Sequence, residues 1–351
     1  MKKHLILLAI LGMGLFAASR SQAGVSTAAV LDLMIAPGAR ASGMGEAFVS
    51  VADDATATFW NPAGLAFQSG HEITLMHCNW LPSLVTDMFY EFIAYKQDVQ
   101  SLGGTIGANI IYFNMGEQVQ TGESGPEPIG TFHSWDMSVT LSYATKLKPN
   151  LGLGVNMRYI RSNLAPMGAG AEKGTGVGSS FAADIGMLYK PGFLKGLNMG
   201  FNLSNMGPKI TYIDADQADP LPTNLKIGIG YKILDSEFNK LLITVDTNKL
   251  LVVRHKDGTS DPFYKALFTS WKGSLKTQAN ELISSCGIEY VYNNMIFLRG
   301  GYYYDYEGRV KYPTIGAGLQ YDKFRFDFAY VAAEQGSPLS DTMRFSLTAG
   351  F

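Results

Sequence analysis

Residues able to do chemistry are sparse in this chain, and their spacing builds no familiar reaction centre. His71, His77, His133 and His255 are scattered, none in an HExxH motif or a triad-like setting, so each reads as a structural strand or loop histidine. Gly174-Thr175-Gly176-Val177-Gly178 has the composition of a phosphate loop but lacks the Lys-Ser/Thr that would follow, and reads as a flexible turn. Asp214, Asp216 and Asp219 offer carboxylates without the spacing and glycine of an EF-hand, and read as solvated loop charge. Cys78 and Cys286 fall on two expected strands far apart in sequence. An oxidising compartment would permit a bond between them, but free, half-buried thiols are the preferred reading. No CxxC pair or Cys/His cluster has metal-ligand spacing. No catalytic residues, cofactor or metal are expected, and the chain does not read as an enzyme. The formal charge of −2 gives no sign of a nucleic-acid partner.

The elements that position these residues begin with an export signal. Lys2 and Lys3, the apolar run Leu5 to Ala18, and Ser21-Gln22-Ala23 follow the order of a secretory signal peptide, so residues 1–23 are expected to be removed. The run is shorter than the roughly 20 residues a spanning helix needs. Loss of Lys2, Lys3 and Arg20 takes the formal charge from −2 to −5. The remainder combines 39 Gly, 20 Phe and 18 Tyr with only 17% charged residues, a balance that suits strands with one face in lipid.

From about residue 72 the pattern has period two, which places i and i+2 on one face of a strand. Trp135, Met137, Val139, Leu141 and Tyr143 alternate with Asp136, Ser138, Thr140, Ser142 and Ala144. Leu225, Ile227, Ile229 and Tyr231 alternate with Lys226, Gly228 and Gly230 in the same way, as do Phe324, Phe326, Phe328 and Tyr330 with Arg325 and Asp327. The last strand sets Met343, Phe345, Leu347, Ala349 and Phe351 against Arg344, Ser346, Thr348 and Gly350. Its aromatics, Phe345 and the terminal Phe351, resemble the C-terminal signal read by outer-membrane assembly machinery. Strand starts fall near residues 72, 88, 103, 133, 151, 179, 197, 222, 240, 284, 295, 312, 324 and 341. About fourteen strands is an even number, as bacterial barrels require. Connections after odd strands are the longer ones, Gly116 to Phe132, Asn163 to Gly178, Gly207 to Leu221 and Arg254 to Ile283. Those after even strands are short, such as Asn293-Asn294 and Asp322-Lys323. The expected fold is therefore all-β, a transmembrane antiparallel β-barrel over residues 72–351, with long outer loops, short periplasmic turns and both termini in the periplasm.

Residues 24–71 do not fit a barrel wall. Pro37-Gly38-Ala39-Arg40-Ala41-Ser42-Gly43-Met44-Gly45 is followed by Ala52-Asp53-Asp54-Ala55 and Trp60-Asn61-Pro62-Ala63-Gly64-Leu65. Gly43 and Gly45 allow close backbone approach, Asn61-Pro62 signals a turn, and Asp53 and Asp54 are expected to accept backbone N–H groups where a short helix starts. Such small, turn-forming residues suit a plug in a narrow lumen lined by Gly, Ser, Asn and Thr. The combination Gly43-x-Gly45-x-Ala47-Phe48, Ala52-Asp53-Asp54-Ala55 and Asn61-Pro62-Ala63 resembles the hatch of the FadL-like barrels, which pass hydrophobic molecules across the outer membrane. Asp246-Thr247-Asn248-Lys249-Leu250-Leu251-Val252, Gly287-Ile288-Glu289-Tyr290, Leu298-Arg299-Gly300-Gly301-Tyr302 and Thr342-Met343-Arg344-Phe345 are similar to the PorV/PorQ-type barrels of the type IX secretion system. This resemblance spans nearly the whole mature chain. It implies a shuttle that takes clients bearing a C-terminal targeting domain from the outer-membrane translocon barrel to a surface attachment complex.

Two functions follow. A protein-binding barrel would use outer-loop aromatics as anchors: Trp80 and Leu81 before Pro82, and a Pro262-started amphipathic helix bearing Phe263, Tyr264, Leu267, Phe268 and Trp271, which would contact a protein partner or membrane lipid. A FadL-like uptake channel would instead move its hatch to admit small hydrophobic molecules. In either case Phe345→Arg, on the lipid face, should cost about 2 to 4 kcal/mol of folding stability near the bilayer midplane. Ser346→Arg should be milder if the lumen has room, and a refolding titration in lipid vesicles compares the two.

Overall fold

The alternation closes into a cylinder. The computed structural model describes residues 27–122, 125, 127–166 and 175–351; the expected signal segment and Gly174 lie outside them. Fourteen antiparallel strands run in chain order. They are β1 (His71–Asn79), β2 (Phe89–Val99), β3 (Gly104–Thr121), β4 (Pro128–Lys148), β5 (Leu151–Asn163), β6 (Val177–Tyr189) and β7 (Leu197–Met206). The second half comprises β8 (Asn224–Asp235), β9 (Asn239–Leu250), β10 (Ile283–Tyr292), β11 (Ile296–Asp305), β12 (Val310–Tyr321), β13 (Phe324–Val331) and β14 (Thr342–Gly350). β14 pairs with β1 from Glu72↔Gly350 to Cys78↔Arg344, so no strand edge is left open to hydrocarbon.

Strand parity follows the sequence pattern. Met343, Phe345 and Leu347 face outward, while Arg344, Ser346 and Thr348 are buried in the lumen. On β4 the buried Asp136, Ser138, Thr140 and Ser142 alternate with the outward Leu141 and Tyr143. The tight connections have the chemistry their geometry needs: Asn293 and Asn294 both take positive φ, 51° and 53°, as a two-residue primed hairpin turn requires.

Three expectations change. The loop expected from Gly116 to Phe132 is largely hairpin, because β3 and β4 stay paired from Glu117↔His133 to Thr121↔Pro128 beyond a register shift after Asn114. A hairpin standing clear of hydrocarbon has water on both faces, so Gln118, Val119 and Gln120 carry no clean alternation. The thiols also differ, since Cys78 is buried and Cys286 exposed, both free. The two ends of the described chain do not share one end of the barrel. Phe351 exchanges backbone hydrogen bonds with His71 at the short-turn end, whereas Ala29 N–H donates to Pro220 O (3.0 Å) among the long connections.

Between these points the N-terminal segment threads the lumen from the long-loop end to the short-turn end. Only short pieces are helical, Ala39–Gly43, Ala57–Trp60 and the 3-10 turns Leu31–Met34 and Pro62–Phe67. Such pieces leave most of their backbone groups unsatisfied, and wall side chains answer them. Ala39 N–H donates to Ser346 Oγ (2.8 Å), Gly45 N–H to Thr314 Oγ1 (3.0 Å) and Val49 N–H to Asp246 Oδ2 (2.7 Å). Asn156 Nδ2 and Arg344 Nη1 donate to Thr58 O and Ala36 O (2.9 and 3.0 Å). The fully buried Trp60 packs on Phe48 and Phe59 and donates from Nε1 to Pro37 O (3.1 Å).

This filling removes the room that Ser346→Arg would need, so that substitution should be harmful as well, and its comparison with Phe345→Arg does not separate lumen face from lipid face. A sharper probe lies where hatch and wall backbones touch. A Cβ at Gly301 would sit 2.0 Å from the Gly45 nitrogen, and Gly45 itself has φ +64 with wall backbone 2.5 Å from any Cβ. Gly301→Ala should leave a closed barrel, seen as retained heat-modifiable mobility on gels, but expose the buried Arg40 to trypsin. Protection equal to that of the native protein would contradict this contact.

Candidate functional site

Arg40 is the centre of the hatch's attachment. It lies in the short helix Ala39–Gly43, where small neighbours let the segment press against β11 to β14 and leave its one long side chain to cross the lumen. Its Nε and Nη2 donate to the two carboxylate oxygens of Glu289 on β10 (both 2.8 Å), and Nη1 donates to Asp53 and Asp54 (2.5 and 3.1 Å). Glu289 also accepts from Arg299 Nε on β11 (2.7 Å), and Arg299 Nη1 donates to Asp327 on β13 (2.8 Å). Asp327 accepts from Arg325 Nε (2.8 Å), whose Nη2 returns to Asp54 (3.1 Å). The result is a closed ring of alternating charge, Arg40, Glu289, Arg299, Asp327, Arg325 and Asp54, that binds hatch to wall. Burial pushes the Asp54 carboxyl up, but Arg40 and Arg325 outweigh it and hold it below the usual carboxylate value. Its share of stability is therefore present at neutral pH and lost as pH falls through that lowered value.

The other hatch residues have separate duties. Gly43 and Gly45 touch wall backbone at Gly316 and Tyr302. Asn61 caps the turn Pro62–Phe67 by accepting from Ala63 N–H (3.1 Å), and its Nδ2 donates to Val49 O and Met187 O (2.9 and 3.1 Å). Pro62 lies against Gly154 and Gly186. Asp54 accepts from the Thr56 N–H (3.1 Å) in the turn just ahead of the helix Ala57–Trp60, whose N-cap is Thr56, whereas the half-exposed Asp53 receives Arg40 instead.

The expected outer-loop anchors divide. Trp80 turns over the lumen, packs edge-on against Phe113 at 6.4 Å and lies under the Arg344 guanidinium at 5.7 Å. Leu81, with φ 49°, is half-buried, and of the two only Trp80 packs against the hydrophobic core. The helix after Pro262 forms over Phe263–Thr269, leaving Trp271 just past its end. Phe263 and Leu267 are half-buried, while Tyr264, Phe268 and Trp271 are exposed, joined by Leu275 on an unanticipated second helix, Leu275–Asn280. This apolar platform is firmly mounted. The buried Asp261 accepts from Lys265 Nζ (2.7 Å), His255 Nε2 (3.0 Å) and Thr269 Oγ1 (2.7 Å), which hold its carboxyl far below the usual range. Lys249 reaches in from β9 to bind Glu281 and lies over the Trp271 ring at 5.2 Å.

The remaining chemical candidates are structural. His71 meets Tyr95, His77 meets Glu91 and His133 lies 3.8 Å from Glu117. Asp214 accepts from Asp216 and Gln217 N–H within its own loop (both 3.1 Å). Among the described residues no group of three or more His, Cys, Asp or Glu could hold a metal.

Sequence reasoning did not single out Arg40, Glu289, Arg299, Arg325 and Asp327. The signal was strand parity: four of them stand at inward positions of β10, β11 and β13, where charge needs a partner.

A closed fourteen-strand barrel with outward-facing apolar side chains and a lumen filled by its own N-terminal segment has the fold of an outer-membrane β-barrel. The chain belongs to the PorV family, described as type IX secretion system protein PorV, whose pattern matches residues 18–257. Among solved structures it is similar to the Ralstonia pickettii toluene transporter TbuX, with TM-score 0.53, 15% identity, and 90% of this chain and 98% of that one covered. The Pseudomonas putida toluene transporter TodX is similar at TM-score 0.54 and 14% identity over 89% of this chain and 96% of that one. At such identities the likeness shows the fold. No curated protein matches the sequence significantly.

Glu289→Gln removes a charge shared by Arg40 and Arg299. It should cost about 3 to 5 kcal/mol in urea unfolding of the detergent-bound barrel, as for breaking a buried ion pair. Glu91→Gln at the exposed His77 pair should cost about 1 kcal/mol or less.

Proposed function

We propose that this barrel is the client-binding shuttle of type IX secretion, receiving proteins with a C-terminal targeting domain from the translocon barrel and passing them to the surface attachment complex. Membership of the PorV family carries this reading. It is supported by the platform of Tyr264, Phe268, Trp271 and Leu275, since exposed aromatics on a rigid mount are typical interface anchors. By the rule that short turns face the periplasm, Phe351 lies there and the platform faces outward.

The uptake-channel reading requires the hatch to yield. The two ion pairs of the ring that join hatch to wall, Arg40 with Glu289 and Arg325 with Asp54, would then break, and breaking even one buried pair is strongly unfavourable. A static hatch suits a protein that works through its outer face.

Deleting the chain should strand type IX clients in the periplasm, read by immunoblotting of cell fractions; normal surface delivery would reject the role. Phe268→Asp together with Trp271→Asp should leave the barrel folded yet reduce co-purification of translocon and clients at least tenfold.

A further inference from the structure

At the long-loop end, where the hatch enters the lumen, lies a second feature that the shuttle role does not explain. A cavity of about 390 Å³ is bordered by Asp32, Asp136, Asp219, Phe113, Met115 and Tyr212. Asp32 is only 5% exposed and Asp136 3%; their carboxyls meet each other, a contact that needs a shared proton, and neither Asp32 oxygen nor Asp136 Oδ1 accepts from any other donor of the chain. The pair thus faces one space with no cationic side chain committed to it. The nearby Arg158 is committed elsewhere, to Asp184 (2.9 Å), Thr140 (3.1 Å) and Asn205. Arg254 pairs with Asp219 at the rim (3.4 Å), and Tyr212 donates to Ser162 (2.9 Å).

Unpaired buried carboxylate is costly, and the site relieves that cost by holding a proton or a cation. Burial and then the neighbouring Asp136 push the Asp32 carboxyl well up, outweighing the opposing charge of Arg158. The walls decide what kind of cation would complete it. Phe113, Met115 and Tyr212 would cover an apolar stem, and aromatic faces also attract ammonium groups. A bare metal ion would find too few oxygens here, since hard cations take six or more.

We propose that this cavity is a binding site for an alkylammonium group, namely a lysine side chain in a client segment presented at the long-loop end. The assignment of lysine to a client rests on the shuttle reading; the ammonium chemistry does not. The test uses the full-length barrel in detergent, titrated with the tripeptide Ala-Lys-Ala capped at both ends and with its norleucine counterpart, Ala-Nle-Ala, which keeps the stem and lacks the charge. The lysine peptide should bind at least tenfold more tightly, and Asp32→Asn and Asp136→Asn should each remove at least tenfold of that preference. Asparagine resembles a protonated carboxyl, so both variants should keep heat-modifiable mobility. Equal binding of the two peptides, or a lysine preference that survives both variants in folded barrels, would overturn the proposal. Because no secretion partner is present in the assay, its failure would leave the deletion phenotype, and with it the shuttle role, to be judged separately.

Discussion

A cylinder of fourteen strands is too wide for its inward side chains to meet across the middle, and everything inside this molecule follows from that dimension. Something else must fill the space, and the filler is chain whose short helical pieces cannot satisfy their own backbone. The wall therefore carries side-chain acceptors and donors at inward positions, and glycines where the filler comes too close for any side chain. Gly301 against Gly45 and Gly154 against Pro62 are two such contacts.

Charge completes the fit. In a closely filled lumen an isolated Arg40 would be costly, whereas a ring of three arginines and three carboxylates leaves every charge with two opposite neighbours. The ring contributes specificity of position more than raw stability. Only one placement of the Ala39–Gly43 helix brings Arg40 to Glu289 and Asp54 together.

Much of this was legible in the sequence because lipid and lumen impose opposite demands at every second residue. The start of β5 at Leu151, of β7 at Leu197 and of β13 at Phe324 fall where the alternation predicts. The extension of β3 and β4 was not legible, since Val119 and its polar neighbours stand in water on both sides. The hatch was visible as a segment through Gly43, Gly45 and Asn61-Pro62. Its partners were not: Arg40 and Glu289 are 249 residues apart, and no local pattern joins them. Trp80 misled for a related reason. An aromatic before a proline marks a loop but does not say which way the ring will turn, and here the Phe113 edge and the Arg344 charge drew it inward.

The distance between ring partners also sets a timetable. Arg325 and Asp54 lie 271 residues apart, and β1 finds its second neighbour only in the final strand. Contacts of such long range slow folding, because loop entropy is lost before the contact repays it. The plug is therefore among the first segments synthesised and among the last to settle. Until the wall closes around it, its buried arginine and carboxylates stay in water, and a chain still open would present both a loose edge and an unseated plug to the machinery that inserts it.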